Sequence, residues 1–63
     1  AAEEALRGLL AEGTAALAKK DYAQAKSAAR SALRIAPQNA TADRLLRDAE
    51  REERQALQDM DVQ

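Results

Sequence analysis

Cysteine and histidine are both absent from this 63-residue chain. With them go disulfide staples, the usual metal-ligand sets, the commonest general base and the thiol nucleophile. Without cysteine the redox compartment is not readable either. Aromatic side chains are reduced to Tyr22, and proline to Pro37. An excess of one charge is missing as well, because ten Lys and Arg against eleven Asp and Glu leave a formal net charge of −1. A nucleic-acid surface needs a basic excess and usually stacking aromatics, so no nucleic-acid partner is expected. No apolar run approaches transmembrane length, so no membrane insertion is expected, and no basic-then-apolar leader appears. The chain opens on Ala1 without an initiating Met, which reads as a piece of a longer or processed protein. Its Ala/Arg-rich composition fits a bacterial source.

What the chain has is alanine. Of its 29 apolar residues 17 are Ala, so eight Leu supply most of the large side chains. A domain this small buries a modest fraction of its surface, and here the core must be thin. Alanine does favour the helix intrinsically and lets helices approach closely.

Periodicity predicts three helices. Leu6, Leu9, Leu10, Gly13, Ala16 and Leu17 recur at spacings of three and four, which is a helical stripe over about 2–19. Glu3 and Glu4 at its start and Lys19 and Lys20 at its end suit the helix macrodipole. Gly13 inside the helix costs about 1 kcal/mol relative to Ala, and a Gly there usually admits a neighbouring helix. Asp21 is a good N-cap for a second helix over 22–35, striped by Tyr22, Ala25, Ala29, Ala32 and Leu33. Pro37 disfavours helical geometry in Ala36 and stops it. The short connection Pro37-Gln38-Asn39 then turns a third helix, over about 40–57, back on the second. Asn39 is a plausible cap for it. Its apolar positions are Ala42, Leu45, Leu46, Ala49, Ala56 and Leu57, interrupted by the charged run from Arg51 to Arg54. The pairs Asp43–Arg47 and Glu50–Arg54 are expected to support a solvated second half by about 0.2–0.5 kcal/mol each. Residues 58–63 read as a frayed polar tail.

Gly13, Asp21-Tyr22, Ala25, Ala32-Leu33, Pro37 and Asn39-Ala40 together resemble the signature of the tetratricopeptide repeat. The offsets fit without a gap from about Leu6 to Asn39, one complete unit. The resemblance implies an antiparallel helical hairpin, with a small residue midway along the first helix and small residues where the two helices cross. Two positions depart from it, since Ala16 and Ala29 stand where the family often carries bulky aromatics. Both are expected to thin the packing and leave space that a neighbour could fill. From Ala40 onward the pattern does not repeat. Arg47 falls where a second unit would want its mid-helix Gly, and this stretch resembles the polar helix that caps a repeat array. The expected fold is therefore all-α, a tetratricopeptide-like hairpin with a capping helix, forming one domain over 1–57.

Catalysis has little to work with. Ser27 and Ser31 lie one turn apart, but with no His partner they read as polar surface. Glu50, Glu52 and Glu53 are interleaved with Arg51 and Arg54 and read as a solvated face. Gly8 and Gly13 both fall inside a helix, so no Gly-rich phosphate cradle exists. No enzyme activity, metal or cofactor is expected.

A binding role remains. In the family the inner face is formed largely by the first helix of each hairpin, which here implies Leu10, Thr14 and Leu17, with Arg44, Asp48 and Arg51 from the third helix. The family's carboxylate clamp needs a Lys and an Asn where this chain has Leu10 and Thr14, so that clamp is not expected. An apolar groove accepting a peptide or helix of a protein partner fits better. The competing reading is that Leu10 and Leu17 simply pack on the third helix. Tyr22 is expected to anchor the hairpin corner, with a partner contact as the other reading. One repeat plus a cap falls short of the three or so that stand alone. The chain is then the end of a longer array, a domain completed by homo-oligomerisation, or a marginal monomer. A structural self-association role is accordingly the second functional reading.

Overall fold

A computed structural model describes residues 2–61. Within them the chain is all-α, with α1 at Ala2–Ala18, α2 at Tyr22–Ile35 and α3 at Ala40–Asp61, and no strand. Helix α1 packs along α2, α2 packs along α3, and α1 touches α3 only sparsely. The second helix is therefore the shared wall of the molecule.

The turns explain this order. At the end of α1 the Asp21 N–H donates to the Ala16 carbonyl at 2.8 Å and the Lys20 N–H to that of Leu17 at 2.9 Å. Lys20 sits between them at φ 65°, in the left-handed region. This is the Schellman pattern, which usually places Gly at that position. It ends α1 at Ala18, so Lys19 and Lys20 lie just past the helix, outside the last turn where the sequence placed them. Asp21 closes one helix and opens the next, because its Oδ1 accepts the Gln24 N–H at 3.2 Å. No free loop is left between α1 and α2, which enforces the antiparallel hairpin. At the other corner the Ala36 N–H still donates to Ala32, and Asn39 Oδ1 accepts the Ala42 N–H at 2.8 Å.

The core is built of small residues. Ala16, Ala25, Ala28, Ala29, Ala32, Ala42 and Ala49 are buried together with Leu45, and among the described residues no polar or charged side chain is buried. One alanine from each helix, Ala16, Ala25 and Ala49, meets in a single cluster with Leu17 packed against it. A Cβ placed on Gly13 would lie 2.5 Å from Leu45 Cδ2 and 3.2 Å from Ala28 Cβ. Gly13 is thus the point where all three helices come together, and Leu45 occupies the space a side chain there would need. Ala16 and Ala29 are 6 % and 0 % exposed. The helices close over them, so neither presents an opening to a neighbour.

Helix α3 differs most from expectation. It continues to Asp61, so residues 58–61 are helical, while 62 and 63 lie outside the described residues. No helix breaker follows Leu57, and Gln58, Asp59 and Met60 extend the last turns at little intrinsic cost. Its second half is not simply solvated, since Glu52, Glu53 and Ala56 are half-buried. Asp43 does pair with Arg47 at 3.0 Å, but Glu50 reaches Arg30 on α2 at 3.9 Å instead of Arg54. Lys26 Nζ lies 2.6 Å from Glu53 Oε1, with side chains 21 % and 34 % exposed. These two cross-helix pairs fix the register of α3 on α2.

Three backbone substitutions test this packing and the first turn. Gly8 has nothing within 4 Å of a Cβ, so Gly8→Ala should raise stability by about 0.5–1 kcal/mol through helix propensity alone. Gly13→Ala meets Leu45 and Ala28, and should fall short of Gly8→Ala by about 1 kcal/mol or more. Thermal unfolding followed by circular dichroism compares them, and equal gains would mean that no close approach exists at Gly13. In the same assay Lys20→Gly relieves the left-handed backbone and should add about 1 kcal/mol.

Candidate functional site

The six residues expected to line a groove sit on α1 and α3, which both pack on α2 and touch each other sparsely. The two helices approach at Gly13 through Leu45, and Ala16 and Ala49 share one cluster. On α1, Leu10, Thr14 and Leu17 follow at spacings of four and three and share one face. Arg44, Asp48 and Arg51 have the same spacing on α3.

These six residues are not equivalent. Leu10 and Leu17 are half-buried and Thr14 is exposed. Leu17 packs on the cluster of Ala16, Ala25 and Ala49 and so belongs to the edge of the core. Thr14 Oγ1 donates to the Leu10 carbonyl at 2.7 Å, which ties its hydroxyl proton to its own helix. Arg51 donates to Asp48 Oδ1 at 3.0 Å, one turn back along α3. Arg44 makes no hydrogen bond or ion pair among the described residues, and it is exposed. Of the six, Leu10 is a half-buried apolar side chain outside the core cluster, and Arg44 is a cation with no ion-pair partner among the described residues.

The remaining residues singled out from the sequence form the frame. Ala25 and Ala32 are buried, Leu33 is half-buried, and exposed Pro37 follows the end of α2. Tyr22 is half-buried, and it lines a notch of about 350 Å³ between the α1–α2 turn, the start of α2 and the late part of α3. Lys20 and Arg51 supply positive charge to that notch, Glu52 and Asp59 negative charge, and Ala56 an apolar wall. A second depression lies on the other side of α3, between Lys26, Glu50, Glu53, Arg54 and Leu57. Sequence reasoning did not find either concavity. The signal for them was the seven-residue spacing of Ala42, Ala49 and Ala56, which carries the buried face of α3 through the charged run.

Ser27 is exposed and Ser31 half-buried. Among the described residues no group of three or more Asp and Glu is arranged to hold a metal ion, and no helix is long and apolar enough to cross a membrane. No protein-family model matches the chain, and neither a curated protein nor a solved structure is found similar to it.

Proposed function

We propose that this chain is a tetratricopeptide-like interaction module whose α1–α3 groove receives an amphipathic peptide or helix of a protein partner. The reading rests on the sequence resemblance together with the sparse contact between α1 and α3. Both helices pack on α2, and Leu10 on α1 is half-buried, so a partner side chain could complete its burial. Burying a large apolar side chain fully is worth about 1.5–3 kcal/mol, so one anchor at Leu10 can matter on a small surface. The unpaired Arg44 favours a partner segment that carries a carboxylate beside its apolar face. The absence of buried ionisable groups among the described residues suits binding better than catalysis, which draws on groups of perturbed acidity in a desolvated site.

The buried positions of Gly13, Ala25 and Ala32, and Tyr22 at the hairpin corner, are what the resemblance asks of a repeat unit. Leu17 serves the core as well as the groove, so it is the poorer probe. Leu10 is the better one.

Selection of a displayed library of amphipathic peptides on the immobilised chain tests the proposal. Peptides recovered in this way should bind Leu10→Asp at least about tenfold more weakly, the equivalent of 1.4 kcal/mol. Arg44→Glu should weaken the same peptides where they carry an acidic flank. Ser27→Asp, on an exposed position of α2, should leave binding unchanged. Peptides that bind Leu10→Asp as tightly as the parent chain would remove the groove from consideration, provided circular dichroism shows the variant to be helical.

A further inference from the structure

The two halves of α3 are held by different means. The first half buries Ala42, Leu45 and Ala49, and Leu45 reaches the close approach at Gly13. Past Ala49 none of the described residues of α3 is buried, and Ala56 is the one apolar side chain that is even half-buried. What joins this second half to α2 is charge. Lys26 and Arg30 lie one turn apart on α2, and Glu50 and Glu53 lie one turn apart on α3. Lys26 Nζ donates to Glu53 Oε1 at 2.6 Å, and Arg30 approaches Glu50 at 3.9 Å. Each helix alone sets two like charges side by side, which is unfavourable. Docking pairs all four.

Glu50 has a second partner within its own helix. Arg54 stands four residues on, the spacing and direction that favour an intrahelical pair. In the docked arrangement Arg54 is exposed and has no ion-pair partner among the described residues. It nevertheless lines the same depression as Glu50, Glu53 and Lys26. The Arg30–Glu50 pair is the longest of the ion pairs and is solvated on both sides, so little holds Glu50 to α2.

We infer that the second half of α3 is an electrostatic latch, anchored at Leu45 and Ala49, that opens from α2 while the hairpin and the first half of α3 stay folded. Opening releases Glu53 from Lys26 and transfers Glu50 from Arg30 to Arg54. It also draws Glu52, Gln55 and Ala56 away from Tyr22, because all four line one notch. The opened segment has lost the packing from which helices in proteins take most of their stability, so it frays. Local opening of this kind is read residue by residue as amide exchange. The latch uses neither Leu10 nor Arg44, and its failure would leave the peptide proposal untouched.

Hydrogen exchange of the full 63-residue chain, resolved by residue with NMR, tests it at about 20 mM and about 500 mM NaCl. Screening weakens the cross-helix pairs at the higher salt. The amides of residues 54–58 should then exchange at least about threefold faster, while those of residues 25–32 and 45–49 change less than twofold. Lys26→Glu and Glu53→Lys should each speed exchange at 54–58 at least about fivefold in low salt, and the doubly exchanged chain should regain most of the protection. Arg54→Gln removes the second partner of Glu50 and should slow the same exchange about 1.5- to 2-fold. Three results overturn the inference. One is exchange at 54–58 that matches residues 25–32 in every condition, since α3 then opens only with the whole chain. Another is fast exchange at 54–58 that neither salt nor the charge exchange alters, which is end fraying alone. The third is faster exchange in Arg54→Gln, which means that Arg54 supports the docked helix and not the open one.

Discussion

The close approach of three helices at Gly13 is the constraint on which the rest of this structure depends. Leu45 of α3 reaches the space that a side chain at Gly13 would fill, and Ala25 and Ala28 of α2 stand against the same point. With Leu45 the only large side chain in the buried core among the described residues, the molecule lacks the usual means of holding helices together at a distance. It holds them by bringing backbones near one another instead. Close packing of this kind draws on many small dispersion contacts and tolerates little change in volume. Alanine serves it twice, by favouring the helix and by leaving room for the neighbour.

The rest of the arrangement is built around that point. Helices α1 and α3 both lean on α2 and touch each other sparsely, and Leu10 on α1 is left half-buried. Helix α2 is 14 residues long and α3 is 22, so the third helix is longer than the one it packs on. The ion pairs from Lys26 and Arg30 set α3 so that it extends about four residues beyond each end of α2. Pairs this exposed contribute only about 0–1 kcal/mol each, so their importance lies in register more than in stability.

Much of the frame was legible in the sequence because the turns are punctuated by residues with local roles. Asp21 and Asn39 cap by their own side chains, and Pro37 excludes helix before it, so these boundaries need no knowledge of the tertiary structure. The end of α1 was harder. A left-handed residue is usually announced by Gly, and here Lys20 takes that conformation because the hairpin demands it. Residues 51–54 misled in another way. Four charges in a row look solvated, yet Glu53 meets Lys26 of another helix and Glu50 prefers Arg30 to its own neighbour Arg54. Spacing rules within one helix cannot see a partner on the next. The reading of Ala16 and Ala29 as gaps had the same origin: an alanine is a void only if the helices keep the separation that larger side chains impose. As for the groove, the sequence placed Leu10, Thr14 and Leu17 on one face. It could not tell that Leu17 packs on the alanine cluster while Leu10 lies outside it.

That last distinction, between an alanine that leaves a void and one that makes the contact, is the centre of the matter. It can be tested at Ala29, where the resembling family often carries a bulky aromatic and where this chain buries its methyl group completely. The measurement is the unfolding free energy of Ala29→Phe against the parent chain, taken in urea at a concentration where both are monomeric. If the helices are already in contact, the added ring has no space, and stability should fall by about 1–3 kcal/mol. A rise in stability would contradict close packing and show that the hairpin holds a cavity waiting to be filled.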